Sequence, residues 1–214
     1  PAVYSLANGV SSPLVTTTIR KKRVNSLYFM ANLAYQEMLF LDITGRNDWS
    51  STLPRKNRSF FYPSVGLSAV LNSMMKMPKW VNLLKVRASW AQVGNDTQPY
   101  KTSPYYTTSD FSGSLVKPGT LYNADFKPEM STNWEGGLDF KAFGSRLGLD
   151  VTYYYNRTKN QILNAPFDPT TGYTKGTINS GCVSNRGVEI VLRGTPVKTK
   201  DWQGVGYDRY LVNQ

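Results

Sequence analysis

Few residues of this chain could do covalent chemistry. It has no histidine and one cysteine, Cys182, so His-based triads, zinc clusters and disulfide frameworks are excluded within it. Cys182 lies in "INSGCVSNRG" with no histidine at hand to activate it as a nucleophile. Asp139 and Asp150 flank the short stretch "FGSR" and could act as a general acid and base, provided they converge in a pocket. The alternation around them instead puts them on neighbouring strands facing a charged surface. The expectation is a protein without catalytic residues, bound metal or cofactor.

Binding chemistry is better represented. With 25 Lys and Arg against 14 Asp and Glu, the net charge is +11, which favours acidic partners such as nucleic acid, anionic lipid or an acidic subunit. The sharpest basic run is "IRKKR" at residues 19–23, readable as a solvated strand end or as a contact surface. No helix-turn-helix, zinc finger or aromatic RNA-binding signature accompanies it, so no nucleic-acid partner is expected. Aromatic residues make up 13% of the chain, with 14 Tyr. Tyr and Trp suit sites where one end of a side chain is wet and the other apolar, which leaves both membrane interfaces and sugar-stacking surfaces open.

The elements that must position these residues are strands. In "GLDFKAFGSRLGLDVTYYYN", Leu138 and Phe140 alternate with Asp139 and Lys141. After a tight turn, Leu147, Leu149, Val151, Tyr153 and Tyr155 alternate with polar residues. A period of two on both sides of a short turn is an antiparallel hairpin. The same pattern recurs in "SLYFMANLAY" and "MLFLDITG" around a break at Gln36 and Glu37, and in "SVGLSAVL", "LLKVRASWA", "TNWEGGLDFK" and "GVEIVLRG". The polar faces carry full charges that a sheet buried on both sides would not tolerate. No helix longer than a turn or two is expected, and no run approaches the roughly 18 apolar residues of a membrane-spanning helix. No charged-then-apolar leader opens the chain, so Pro1 is not expected to be a nascent N-terminus.

The connections between these strands are expected at residues 36–38, 46–63, 73–82, 92–131, 142–145, 157–185 and 194–201. Short links alternate with long ones. A sandwich has no reason to keep that alternation, whereas an outer-membrane barrel places tight turns on its periplasmic side and long loops outside.

Four blocks resemble one family in sequence and in order. "LDITGRNDWSSTLP" followed by "FFYPSVGLSAVL" resembles the strand-loop-strand signature of SusC/RagA-type TonB-dependent outer-membrane transporters. "LLKVRASWAQVGND" resembles the strand that ends in Gly-Asn, and "FKPEMSTNWEGGLDFKAFGSRLGLDVTYYYNRTKNQIL" resembles the hairpin that opens with Pro-Glu. "INSGCVSNRGVEIVLRGTPV" resembles the strand with Asn-x-Gly-x-Glu. The blocks run from Leu27 to Val197, while "DWQGVGYDRYLVNQ" departs from the pattern.

The resemblance implies an all-β fold, an antiparallel transmembrane β-barrel. Residues 1–214 would be a partial set of strands, the C-terminal part of a larger, roughly 22-stranded barrel, without its plug domain and N-terminal strands. It implies an outer-membrane nutrient importer for oligosaccharides or peptides. Its partners would be a SusD-like lipoprotein lid and TonB, the latter through a segment outside this chain. The apolar face of each hairpin would then touch lipid, with Trp134, Tyr153 and Tyr155 near the outer interface. The alternative is a soluble all-β carbohydrate-binding module. Function should concentrate in the long loops. There Arg46, Asp48 and Trp49 either rigidify the chain or reach substrate or lid, and Tyr100, Tyr105, Tyr106, Phe111 and Tyr173 either stack on substrate or pack loops together. Arg20, Lys21, Lys22 and Arg23 would lie at the outer end of the first strand, close to lipopolysaccharide phosphates.

Overall fold

The alternation around residues 27–43 forms the hairpin it predicts. Strands β1 (Val24–Tyr35) and β2 (Leu39–Ser50) pair antiparallel from Val24–Ser50 to Tyr35–Leu39, leaving only residues 36–38 to turn the chain. Gln36 and Glu37 adopt left-handed φ angles of 48° and 54°, the handedness that matches the twist of a two-strand ribbon. The structure, a computed structural model, describes residues 19–108, 113–198 and 203–213.

The chain continues through β3 (Ser59–Val70), a one-turn helix α1 (Leu71–Met74) and β4 (Val81–Asn95). Three short strands follow, β5 (Thr107–Thr108), β6 (Leu115–Val116) and β7 (Thr120–Leu121). Next come β8 (Glu129–Ala142) and β9 (Leu147–Lys159), then β10 (Ile162–Pro166), β11 (Lys175–Asn179), β12 (Cys182–Lys198) and β13 (Gln203–Asn213). The long strands form one eight-stranded antiparallel sheet in the order β1-β2-β3-β4-β8-β9-β12-β13. The short ones make a three-stranded sheet β10-β11-β7 and a pair β5-β6, all within the long connections.

Register aligns the two faces across the whole sheet. Leu33, Leu41, Leu67 and Ala88 share one row, and Phe140, Leu149 and Leu192 share another. Among the described residues nothing packs on this apolar face: Leu27 is 69% exposed, Phe29 54%, Leu67 50% and Trp134 55%. The opposite face carries Asp42, Lys85, Arg87, Glu135, Asp139, Asp150 and Glu189. Among the described residues, the hydrophobic cluster of buried residues, Leu53, Phe60 and Phe126 with Tyr62 and Ile162 against it, forms where the long connections close on Phe60 and Tyr62 of β3, on the face opposite the apolar one. A sheet apolar on one side and uncovered there is the form expected of barrel wall, and eight strands leave the barrel open.

The short links agree with the sequence. The long ones are shorter than expected, because β2 runs on through Ser50 and β4 through Asn95, so the excursions span residues 51–58, 96–128 and 160–181. Alternation persists there because Arg46, Asp48 and Tyr62 bond to one another across β2 and β3. Arg46, Asp48 and Trp49 are therefore strand residues, not loop residues. Residues 203–213, which seemed to depart from the pattern, form β13 and pair with β12 from Gly187–Asn213 to Lys198–Gln203.

Candidate functional site at the loop rim

The excursions over residues 51–58, 96–128 and 160–181 leave from one edge of the sheet. The tight turns at residues 36–38 and 143–146, and the longer link over residues 71–80 that carries α1, leave from the other. At the loop rim, Asp96, just past β4, binds three elements together. One oxygen accepts from Lys22 Nζ at 2.5 Å, and the other accepts from Ser50 Oγ at 2.5 Å and Thr52 Oγ1 at 3.3 Å. This draws the segment before β1 onto the ends of β2 and β4. Arg23 is fixed there by backbone, its N–H donating to Ser51 Oγ at 2.9 Å and its carbonyl accepting from Ser51 N at 2.9 Å.

The consequence is a cleft of about 710 Å³ in which Arg20, Lys21, Tyr100 and Tyr105 meet, with Ser51, Thr52 and Pro104 beside them. The Lys21 backbone N–H donates to the Tyr100 hydroxyl at 3.3 Å. Tyr105 stacks on Tyr122 with centroids 6.2 Å apart and ring planes 23° from parallel. Burial beside Tyr105 pushes the Tyr122 hydroxyl up from the usual tyrosine range. A basic cleft walled by tyrosines can hold an anion or stack on a ring.

Not every expected residue joins it. Tyr106 is 61% exposed and lies outside the cleft lining. Tyr173 sits under the ammonium of Lys117, 4.1 Å from its ring centroid, so it packs one loop on another. Beside it, the Asp168 carboxylate accepts from Thr170 N at 2.8 Å and Thr170 Oγ1 at 2.7 Å, capping the 3-10 turn Pro169–Thr171. Those bonds hold Asp168 below the usual carboxylate range. Trp49 lies on the apolar face of β2, opposite Asn25 and Ser59. Arg46 and Asp48 form a closed group on the polar face: Arg46 Nε donates to Asp48 Oδ1 at 2.8 Å, the Tyr62 hydroxyl to Asp48 Oδ2 at 2.7 Å, and Arg46 Nη2 to Ser26 Oγ at 3.1 Å. They brace three strands. Phe111 lies outside the described residues.

The long connections are themselves anchored. Phe126 is fully buried, and Asn57 Nδ2 donates to its carbonyl at 2.8 Å. Asn179 closes a two-way bond with the Lys127 backbone, both arms at 2.9 Å. Asp139 and Asp150 are direct cross-strand partners, as the alternation requires, but Asp150 is held by Arg87 and is no free acid or base. Sequence reading missed Asp96, whose only visible signal was its place at the end of "QVGND". It also missed Arg157, Lys159 and Arg186, which extend the apolar face past its aromatic residues and become visible when the period of two is carried two positions further.

A family model described as TonB dependent receptor-like, beta-barrel matches residues 2–213, β13 included. The chain is 28% identical over 182 residues to TonB-dependent receptor P39 of Formosa agariphila, covering 83% of this chain and 18% of that protein. It is 24% identical over 190 residues to TonB-dependent receptor SusC of Bacteroides thetaiotaomicron, covering 83% and 19%. Among solved structures it is similar to the RagAB peptide importer in the 'closed-closed' state, with a TM-score of 0.82 and 26% identity over 89% of this chain and 22% of that one. The chain thus spans about a fifth of the length of these relatives.

Proposed function

The chain belongs to the family of TonB-dependent receptor-like β-barrels, and from that premise we propose that it is part of the wall of an outer-membrane nutrient importer. The uptake is TonB-driven, and a SusD-like lipoprotein closes over the loop rim. The observation that carries this reading is the exposed apolar face that runs from β1 to β12 and continues on β13 as Tyr210 and Val212 beside Asp208, a face that lipid would satisfy. A soluble carbohydrate-binding module has no use for such a face.

On this reading the charged face lines the lumen and the long connections point outward from the cell. Arg20, Lys21, Tyr100 and Tyr105, gathered in one cleft, are the residues that meet substrate. Lys22 and Arg23 at the start of β1 remain candidates for lipopolysaccharide contact. The likeness to a peptide importer supports peptide cargo, and the exposed tyrosines support oligosaccharides; the wall itself performs no reaction.

The test is purification of the full-length protein from its native membrane, with mass spectrometry of what accompanies it. The expected result is extraction only by detergent, a co-purifying surface lipoprotein, and bound peptides or oligosaccharides that name the cargo. Recovery in the aqueous fraction without detergent would overturn the proposal.

A further inference from the structure

The cleft at the loop rim is cationic and has no acid of its own. Arg20 and Lys21 are among its lining residues, and no Asp or Glu is. Neither side chain is engaged: no ion pair among the described residues includes Arg20 or Lys21, and the segment that carries them is exposed. Asp96, the carboxylate that gathers this corner, lies outside the lining. It is answered by Lys22 at 2.5 Å and by the hydroxyls of Ser50 and Thr52. Its charge is therefore held within the frame, and the two cations line the opening without a counter-charge.

The cleft is also aromatic. Tyr105 has one ring face covered by Tyr122 and is still half-exposed, so its second face is open. Tyr100 is half-exposed too, and its backbone sits at φ 65°, a left-handed conformation that residues other than glycine rarely adopt. Its hydroxyl accepts the Lys21 backbone N–H at 3.3 Å, which ties this strained position to the segment that carries the cations. Strain held by its surroundings in this way concentrates at ligand-binding positions. Ser51, Thr102 and Ser103 add hydroxyls to the lining. At about 710 Å³ the cleft falls within the range of roughly 300–1,000 Å³ usual for small-ligand sites.

We propose that this cleft binds an acidic oligosaccharide, one whose sugar rings carry a carboxylate or a sulfate ester, an inference that rests on the importer reading above. The Arg20 guanidinium offers a planar fork to two oxygens of the anion, and the Lys21 ammonium adds a compact second charge. The C–H face of a sugar ring lies against the open tyrosine faces, whose hydroxyl ends remain polar. The hydroxyls of Ser51, Thr102 and Ser103 can each donate and accept, as sugar hydroxyls do. An acidic peptide would satisfy the cations but brings no regular counterpart to the rings and hydroxyls. A neutral sugar would leave both cations unanswered.

The experiment uses the full-length protein in detergent and reads binding by titration calorimetry with matched probes. These are oligogalacturonate and its carboxyl-reduced form, a sulfated galactan oligosaccharide and its desulfated form, and an oligoglutamate peptide. A charged sugar should bind about tenfold more tightly than its neutral counterpart, and less so as salt is raised. The pair that shows the difference separates carboxylate from sulfate. The R20Q/K21Q variant should lose most of that preference, and R20K/K21R should keep most of it. Y105A should weaken the charged sugar, and Y105F should not. If R20Q/K21Q does not fold, the wild-type comparison within each pair decides alone. Equal binding of charged and neutral sugars, binding of none of them, an undiminished preference in R20Q/K21Q, or peptide binding as tight as that of the charged sugar would overturn the proposal. Protein that needs no detergent would instead overturn the importer reading, so the two failures are distinguishable.

Discussion

Arg87 on β4 reaches across β8 to hold Asp150 on β9 through two hydrogen bonds of 3.0 and 3.2 Å, passing over Gly137, its direct partner on β8. A Cβ at position 137 would stand 2.6 Å from Arg87 Nε. The bridge also lies beside the like-charged cross-strand pair Asp139–Asp150, whose mutual repulsion the guanidinium offsets.

Gly137→Ala should therefore act by displacing Arg87. Because both partners are about one-third exposed, the loss is expected near 1 kcal/mol rather than the full value of a buried charged bond. Arg87→Ala should cost a similar amount, and adding Gly137→Ala to it should cost nothing more. Thermal unfolding of the full-length protein in detergent checks this, and additive losses would show that the two residues act independently.

Leu138 pairs with Val86 and Val151 in the middle of the apolar face. Leu138→Arg should destabilise the barrel by about 2–4 kcal/mol, the cost of a cation near the bilayer midplane. The same change at the neighbouring Asp139, on the wet face, should cost clearly less. The temperature at which each variant loses its folded gel mobility gives the order, and equal effects would argue against one face meeting lipid.

Phe126 joins the connection over residues 96–128 to Leu53, Phe60 and Ile162. Phe126→Ala should remove about 3–5 kcal/mol of local packing. Limited proteolysis should then cut this connection faster while the strands remain resistant. Unchanged cleavage would mean that the cluster does not anchor the loops.

The Asp168 cap should respond to acid. Its carboxyl is held below the usual range in the folded loop by the Thr170 bonds, so its contribution is complete above the ordinary carboxylate pKa of about 4 and is lost as pH falls through the lower, folded value. Pepsin should open the Pro169–Thr171 turn progressively toward pH 2. In Asp168→Ala the turn should be equally open across that window, and identical profiles would remove the cap from the account.

The strands were legible because alternation is a local property: Leu138 and Asp139 announce their faces without reference to any other part of the chain. Strand ends were less legible. Arg46, Asp48 and Trp49 read as loop because they are polar or bulky and precede Ser and Pro, yet the bonds among Arg46, Asp48 and Tyr62 carry the ladder on to Ser50. The cleft was half visible. Tyr100, Tyr105, Arg20 and Lys21 were each noticed, but their meeting depends on Asp96 drawing residue 22 across 74 positions of sequence, which no periodicity reports.

Placing the excursions at residues 51–58, 96–128 and 160–181 on one rim and the tight turns on the other also separates two kinds of inheritance. Register is fixed by pairings such as Leu33–Leu41 and Leu138–Val151, and none of these depends on how many residues intervene at residues 96–128 or 160–181. A lineage can lengthen, shorten or exchange those segments by recombination without retuning the wall. The loop rim is thus free to change in single large steps, while the paired strands change slowly, one side chain at a time.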